Sequence, residues 1–216
     1  MTTDSPSSDR PRPLVEAIAF DLLTALIDSW SFWIRIAGDD ALGRAWRAAS
    51  LKLVTSAGAY RPYEKIVVEA ALESGVPPAR AEELLAGWAD LRPWPEVPAV
   101  LSQLGERRLA IVTNCSQSLA ELAAGATGAR FECIMSAERA GWYKTDPHAY
   151  GAALAALRLP PERVLFVAGS AHDVPGAAAV GMPVYWSNRQ RLPVPAGGPT
   201  ALVDAPDLSG LPGLLA

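Results

Sequence analysis

Five runs along the chain carry apolar residues with almost no polar interruption: "VEAIAFD" at 15–21, "LAIVTN" at 109–114, "FECIM" at 131–135, "VLFVAG" at 164–169 and "PVYWS" at 183–187. Continuous rather than alternating apolar character marks strands covered on both faces, so these runs predict a parallel sheet. Between the later runs lie segments suited to crossover helices: "SQSLAELAAGA" after the second, "DPHAYGAALAAL" after the third and "DVPGAAAVG" after the fourth. Strands alternating with helices in this way predict an α/β fold with a doubly wound, mostly parallel sheet.

The stretch between the first two runs is far longer than the dozen or so residues a crossover needs, and its periodicity turns helical. "DDALGRAWRAASLKLVTSAG" opens with Asp39 or Asp40 as N-cap and places Leu42, Trp46, Ala49 and Leu53 on one face. "YEKIVVEAALESG" predicts a second helix ending at Gly75, and "PPARAEELLAGWADL" a third with prolines in its first turn. "RPWPEVP" then leads the chain back. The expected organisation is a small helical cap at 28–97, inserted in a core formed by 13–27 and 98–216.

Composition narrows the class. A length of 216 residues suits one core with a small insertion. Half the residues are hydrophobic, yet no run reaches the 18 or so uncharged apolar residues of a spanning helix. The start, "MTTDSPSSDRPRP", lacks an apolar signal core, so residues 1–12 read as a disordered tail and the expected location is cytoplasmic. Two cysteines, Cys115 and Cys133, make neither a disulfide framework nor a metal pattern and read as buried thiols. The net charge of −4 and the lack of a basic cluster argue against nucleic acid and for a small-molecule partner.

In an open parallel sheet, ligands sit beyond the carboxyl ends of the strands, near the switch in strand order. Those ends carry Asp21, then Thr113 and Asn114, then Gly169 and Ser170, with Lys144 before the helix after the third run and Asp173 just past the fourth. Each alone has an ordinary explanation as a cap or turn residue. Asp21 is the hardest to dismiss, because a carboxylate in an apolar run costs several kcal/mol to desolvate unless it is paired or used.

These segments resemble the haloacid dehalogenase superfamily, in particular its L-2-haloacid dehalogenase (type II) branch, from about Val15 to Leu208. "AFDLLTALID" is similar to the nucleophile motif, "LAIVTNCS" to the Ser/Thr motif, "YKTDPHAY" to the lysine motif and "FVAGSAHDVPGAAAVGMPVYWSNR" to the acidic motif. "AWRAASLKL" looks like the cap helix whose Trp-Arg pair reaches the active site. The resemblance implies a covalent route in which Asp21 attacks the halogen-bearing carbon and forms an ester. Lys144 would keep Asp21 ionised, and Arg47 would receive the halide. Thr113 and Asn114 would bind the substrate carboxylate, while Tyr150 and Asp173 would position Lys144 and the hydrolytic water. Leu23, Leu51, Tyr63 and His172 would line the pocket, with Leu22 and Ser170 as further substrate contacts. The expected substrate is a 2-haloacid or similar small acid, with no metal or other cofactor and no membrane or nucleic-acid partner; family habit allows a homodimer.

Several positions depart from the branch. Phosphatases of the superfamily carry a general-acid Asp two places after the nucleophile, and this chain has Leu23. They also use two carboxylates near the fourth strand for Mg²⁺, where this chain keeps Asp173 but has Gly169 at the earlier place. Dehalogenases usually read Asp-x-Tyr-Gly-Thr, and the glycine and threonine fall here on Thr24 and Ala25. Their usual Ser and Asn before the acidic residue fall on Ala168 and Ser170. Thr24 carries a hydroxyl one place away from the usual one, and the sequence leaves its direction open. The alternatives are therefore a diverged enzyme acting on another electrophilic carbon in a biosynthetic pathway, or a silent small-acid-binding protein.

Overall fold

The sheet has six parallel strands in the order β3-β2-β1-β4-β5-β6. They are β1 (Ala17–Phe20), β2 (Arg108–Thr113), β3 (Cys133–Ser136), β4 (Val164–Ala168), β5 (Val184–Ser187) and β6 (Val203–Ala205). The structure is a computed structural model describing residues 14–193 and 198–216; the tail expected at 1–12 lies outside these. Five strands coincide with the five apolar runs. β6 was not expected, because three residues at a sheet edge give no apolar run.

β1 is the centre of the fold. It pairs with β2 on one side (Phe20 beside Ile111) and β4 on the other (Phe20 beside Val167), so the strand order reverses around it. All four of its residues are buried. The pleat sends Ile18 and Phe20 into one apolar cluster, and Ala17 and Ala19 into another on the opposite face. Small alanines on that second face let Tyr150 pack closely against the sheet, edge-on to Phe166 of β4.

Four helices fill the stretch between β1 and β2: α1 (Ser29–Ala37), α2 (Asp40–Ala57), α3 (Tyr63–Glu73) and α4 (Pro78–Ala86); α5 (Val97–Gln103) then returns the chain to the sheet. α1 is an addition to the expected set. Its signals are a cap at Asp28, whose carboxylate accepts from Ser31 N at 3.0 Å, and a stop at Gly38 with φ of 76°. Asp39, rather than Asp40, caps α2, accepting from Leu42 N at 2.8 Å. Gly43 is required where the two helices cross, since a β-carbon there would lie 2.5 Å from Ile34 Cα. Buried indoles pin the layers: Trp46 donates to the Val67 carbonyl at 3.0 Å, and Trp88 crosses from the insert to the Leu119 carbonyl at 3.0 Å. Each such bond contributes about 1 kcal/mol net.

The remaining helices are α6 (Gln117–Gly125), α7 (Ala137–Ala140), α8 (Pro147–Leu157), α9 (Asp173–Ala179) and α10 (Leu211–Leu215). Among the described residues, no helix is long and apolar enough to cross a membrane.

Candidate active site

Asp21 is the first residue past β1, its backbone N–H still held by the Val167 carbonyl at 2.9 Å. The chain then makes one wide π-type turn over Leu22–Leu26, which folds donors back over the carboxylate. Oδ2 accepts from the Thr24 hydroxyl at 2.5 Å, Thr24 N at 3.0 Å and Ala25 N at 3.1 Å. Oδ1 accepts from Lys144 Nζ at 2.9 Å. The same ammonium donates to Asp173 Oδ2 at 3.0 Å, and the Tyr150 hydroxyl donates to Asp173 Oδ1 at 2.9 Å.

This group is almost dry: Asp21, Lys144 and Asp173 are 6%, 2% and 4% exposed. Burial pushes both carboxylates upward, but the two do not end alike. At Asp21 the Lys144 charge and the hydrogen bonds from Thr24 and Lys144 overcome burial and hold the carboxyl below its ordinary value. At Asp173 burial, reinforced by repulsion from Asp21, prevails over Lys144 and leaves the carboxyl raised. Lys144 also pays for desolvation, yet two facing carboxylates raise its affinity for the proton. The result is a firmly ionised Asp21 beside a carboxylate that takes up a proton more readily, the division of labour expected of a nucleophile and a base.

Asn114 secures the lysine from behind. Its amide oxygen accepts from Lys144 N at 2.7 Å and its amide nitrogen donates to the Lys144 carbonyl at 2.9 Å. The side chain is thus committed to the backbone of Lys144, whereas the Thr113 hydroxyl meets only the Cys115 thiol, at 3.8 Å.

Arg47, on α2, closes the far side of the same small chamber, a cavity of about 30 Å³. It is 3% exposed and its Nε has no hydrogen-bond partner. Among the described residues no carboxylate pairs with it. The guanidinium lies instead over the rings of Trp33 and Trp30, at 5.2 and 5.8 Å. Such contacts offset only about 2 kcal/mol of a burial cost that runs to several. A dry cation without a counter-ion leaves most of that cost unmet. Beside it the buried Tyr63 hydroxyl is also unpartnered; burial lifts its pKa to about 12, against the pull of Arg47.

Residues 12–181 match the family of haloacid dehalogenase-like hydrolases. The chain belongs to that family. It is 29% identical to (S)-2-haloacid dehalogenase H-109 of Pseudomonas putida, over 82% of this chain and 87% of that protein. It is 30% identical to haloacetate dehalogenase H-2 of Moraxella sp. (strain B), over 81% and 86% of the two chains. The fold is shared with the L-2-haloacid dehalogenase of Xanthobacter autotrophicus (TM-score 0.81, 19% identity, 93% and 98% covered). It is also shared with a dehalogenase solved as an intermediate complex (TM-score 0.84, 25% identity, 94% and 98% covered).

In this haloacid dehalogenase-like hydrolase, Asp21, Leu23, Arg47, Leu51, Tyr63, Thr113, Asn114, Lys144, Ser170, His172 and Asp173 all line the one chamber. Tyr150 stands behind it, wholly buried and touching Asp173. Leu22 does not line the chamber: it is fully buried and packs in the core cluster instead. Ala168 is likewise sealed in the sheet. At Gly169, read from the sequence as a strand-end position, a β-carbon would lie 2.3 Å from Ala25 N and 2.4 Å from the Thr24 hydroxyl. One participant was not singled out from the sequence: Trp33, tilted at 60° to Trp46 with centroids 4.6 Å apart and facing Arg47. The only sequence signal for Trp33 is its place in "SWSFWIRIA", whose apolar residues have the spacing of ordinary core packing.

Proposed function

We propose that this protein is a 2-haloacid dehalogenase, hydrolysing a short 2-haloalkanoic acid to the 2-hydroxy acid through an ester on Asp21. The observation that carries the reading is the buried Arg47 without a counter-ion, facing a lysine-held Asp21 across one closed chamber. Attack by Asp21 expels an anion, and Arg47 is the dry cation ready to take it. The names of the relatives point the same way.

Three donors occupy Oδ2, while Oδ1 accepts only Lys144. Oδ1 is therefore the attacking atom: it forms a bond to C2 as the carbon–halogen bond breaks and the halide leaves towards Arg47. In-line displacement inverts C2. The substrate carboxylate is held by the Thr113 hydroxyl and the adjoining backbone rather than by the Asn114 side chain, which is engaged with Lys144. In the ester, Oδ2 becomes the carbonyl oxygen and remains among its three donors, an oxyanion site already built for the second step. Water attacks the Asp21 carbonyl carbon, its proton passing to Asp173. Collapse of the tetrahedral adduct breaks the bond to the former Oδ1, Asp173 returns its proton to that departing oxygen, and the 2-hydroxy acid is released while the water oxygen stays on Asp21.

Residues 28–97 act in this scheme as the cap, since α2 delivers Arg47 and α3 delivers Tyr63. The scheme needs no metal ion: the cation bridging Asp21 and Asp173 is Lys144 itself. The buried free thiols Cys115 and Cys133 accord with the reducing cytoplasm.

The test is halide release from chloroacetate, bromoacetate, fluoroacetate and both 2-chloropropanoate enantiomers with EDTA present, beside Asp21→Asn. The expected result is EDTA-resistant release that Asp21→Asn abolishes, with ¹⁸O from labelled water accumulating in Asp21 over many turnovers. A folded enzyme that keeps only light oxygen in Asp21 while releasing halide would exclude the ester route.

A further inference from the structure

The chamber around Asp21 holds a space of about 30 Å³, comparable to two or three water molecules. That leaves no room for a long substituent beside the reacting carbon, its halogen and its carboxylate. A second cavity of about 530 Å³ adjoins it, and Thr24, Leu51, Ser170 and His172 line both. These residues form the boundary, or throat, between the two spaces: Ser170 and His172 follow β4, Thr24 stands in the turn after β1 and Leu51 on α2, while Thr113 and Asn114 lie at the end of β2. Beyond the throat the larger space runs between the insert, through Trp30, Ile34 and Trp94, and the core, through Ala171, Asn188 and Arg189.

The cations in this outer space are already answered, while Asp28 and Asp207 line it with no ion-pair partner among the described residues. Arg189 pairs with Glu96 and lies over Trp94, 4.4 Å from its centroid, and Arg44 pairs with Asp40 at 2.8 Å. The outer space therefore offers no naked cation for a second anionic group. Beside its polar groups it offers apolar surface: Trp30, Ile34, Leu51 and Trp94 each line it and are only partly buried. Cavities of this size lined in part by aromatic and aliphatic side chains take apolar ligand groups.

From this geometry, and resting on the dehalogenase reading, we infer that the outer cavity is a subsite for the C2 substituent of the substrate. The preferred substrates are then 2-haloacids bearing an unbranched chain of several carbons or a phenyl-sized group, rather than haloacetate. With its carboxylate on the β2 wall and its halogen towards Arg47, such an acid has one way out for its third substituent, through the throat. Trp30 couples the two spaces, since it lines the outer cavity and also stacks near Arg47.

The experiment measures halide release with bromoacetate, then 2-bromopropanoate through 2-bromooctanoate and 2-bromo-3-phenylpropanoate. Each buried methylene is expected to raise kcat/KM roughly threefold, giving at least about a tenfold rise from 2-bromopropanoate to 2-bromohexanoate. Two variants probe the cavity away from the reacting groups: Ile34→Glu places a charge in it, and Ser31→Trp fills it from an exposed position on α1. Both are expected to leave bromoacetate turnover unchanged while lowering kcat/KM for 2-bromohexanoate at least about tenfold. Bromoacetate turnover combined with kcat/KM falling steadily beyond 2-bromopropanoate would overturn the subsite and leave the dehalogenase reading standing. Halide release from none of the acids, by folded protein, would overturn both. Equal loss on short and long acids in Ile34→Glu and Ser31→Trp would assign the cavity a structural role and also overturn the subsite.

Discussion

Gly169 leaves the space that the Thr24 side chain fills: a β-carbon at 169 would stand 2.4 Å from the Thr24 hydroxyl. The hydroxyl uses that space to reach Asp21 Oδ2. Where related dehalogenases place glycine and then threonine after the nucleophile, this chain has threonine and alanine, with a glycine supplied from across the sheet. The hydroxyl is kept by moving the room it needs.

This pairing predicts that Gly169→Ala is destabilising by about 1–3 kcal/mol, the usual cost of overpacking. Urea unfolding measures it. Adding Thr24→Gly to Gly169→Ala should recover part of the loss, since the hydroxyl is one obstacle and the backbone at Thr24 and Ala25 is the other. Full additivity of the two substitutions would show that the positions are not coupled.

Thr24→Val keeps the shape and removes one donor from Oδ2. Because Oδ2 carries the developing negative charge only in ester hydrolysis, the second step should slow by about 10²–10³-fold. Rapid-quench halide assays should then show a burst near one equivalent followed by slow turnover, and mass spectrometry should find the ester on Asp21. Thr24→Ser retains the hydroxyl and should retain most of the rate.

Replacing Arg47 should separate stability from activity. Its guanidinium is buried without a counter-ion, so Arg47→Met removes an uncompensated charge and should raise the unfolding free energy by about 1 kcal/mol or more, even after the indole contacts are lost. Halide release should fall by at least about 10²-fold. A loss of activity accompanied by a comparable loss of stability would place Arg47 among the structural residues instead.

The opposite displacement of the two carboxylates sets the pH dependence. Asp173 is held above the ordinary carboxyl value by burial and by Asp21, so on acidification it is protonated before Asp21, whose carboxyl is depressed. In the proposed scheme ester hydrolysis requires the deprotonated Asp173, and its rate should therefore fall at a higher pH than the rate of ester formation. Single-turnover halide release measured beside steady-state turnover between pH 4 and 8 distinguishes the two limbs; coincident limbs would contradict the assignment of Asp173 as base. Phenol removal in Tyr150→Phe takes a hydrogen bond from the ionised Asp173 and should push the acid limb of hydrolysis further upward.

Much of this molecule was legible in one dimension. Runs such as "VLFVAG" announce buried parallel strands because a strand covered on both faces leaves no place for polar residues. The long stretch after Asp21 announces an insertion through its helical period, although α1 does not stand out within it: it is nine residues long and follows closely on the turn after Asp21. The short edge strand β6 gave no such run. Asp21 itself stood out because a lone carboxylate in an apolar run demands a partner.

The sequence by itself thus determined the fold class, the inserted helices and the identity of the charged residues at the strand ends, since burial period and desolvation cost are properties of local composition. Only the tertiary structure decided what those residues do to one another. Lys144 meets Asp21 from 123 positions away, Asn114 turns from substrate contact to clamp, Leu22 faces the core, and Arg47 is left with no counter-ion. Each of these depends on a distance of a few ångströms between segments remote in sequence, and Coulomb energy, hydrogen bonding and steric exclusion all act on that distance rather than on chain order.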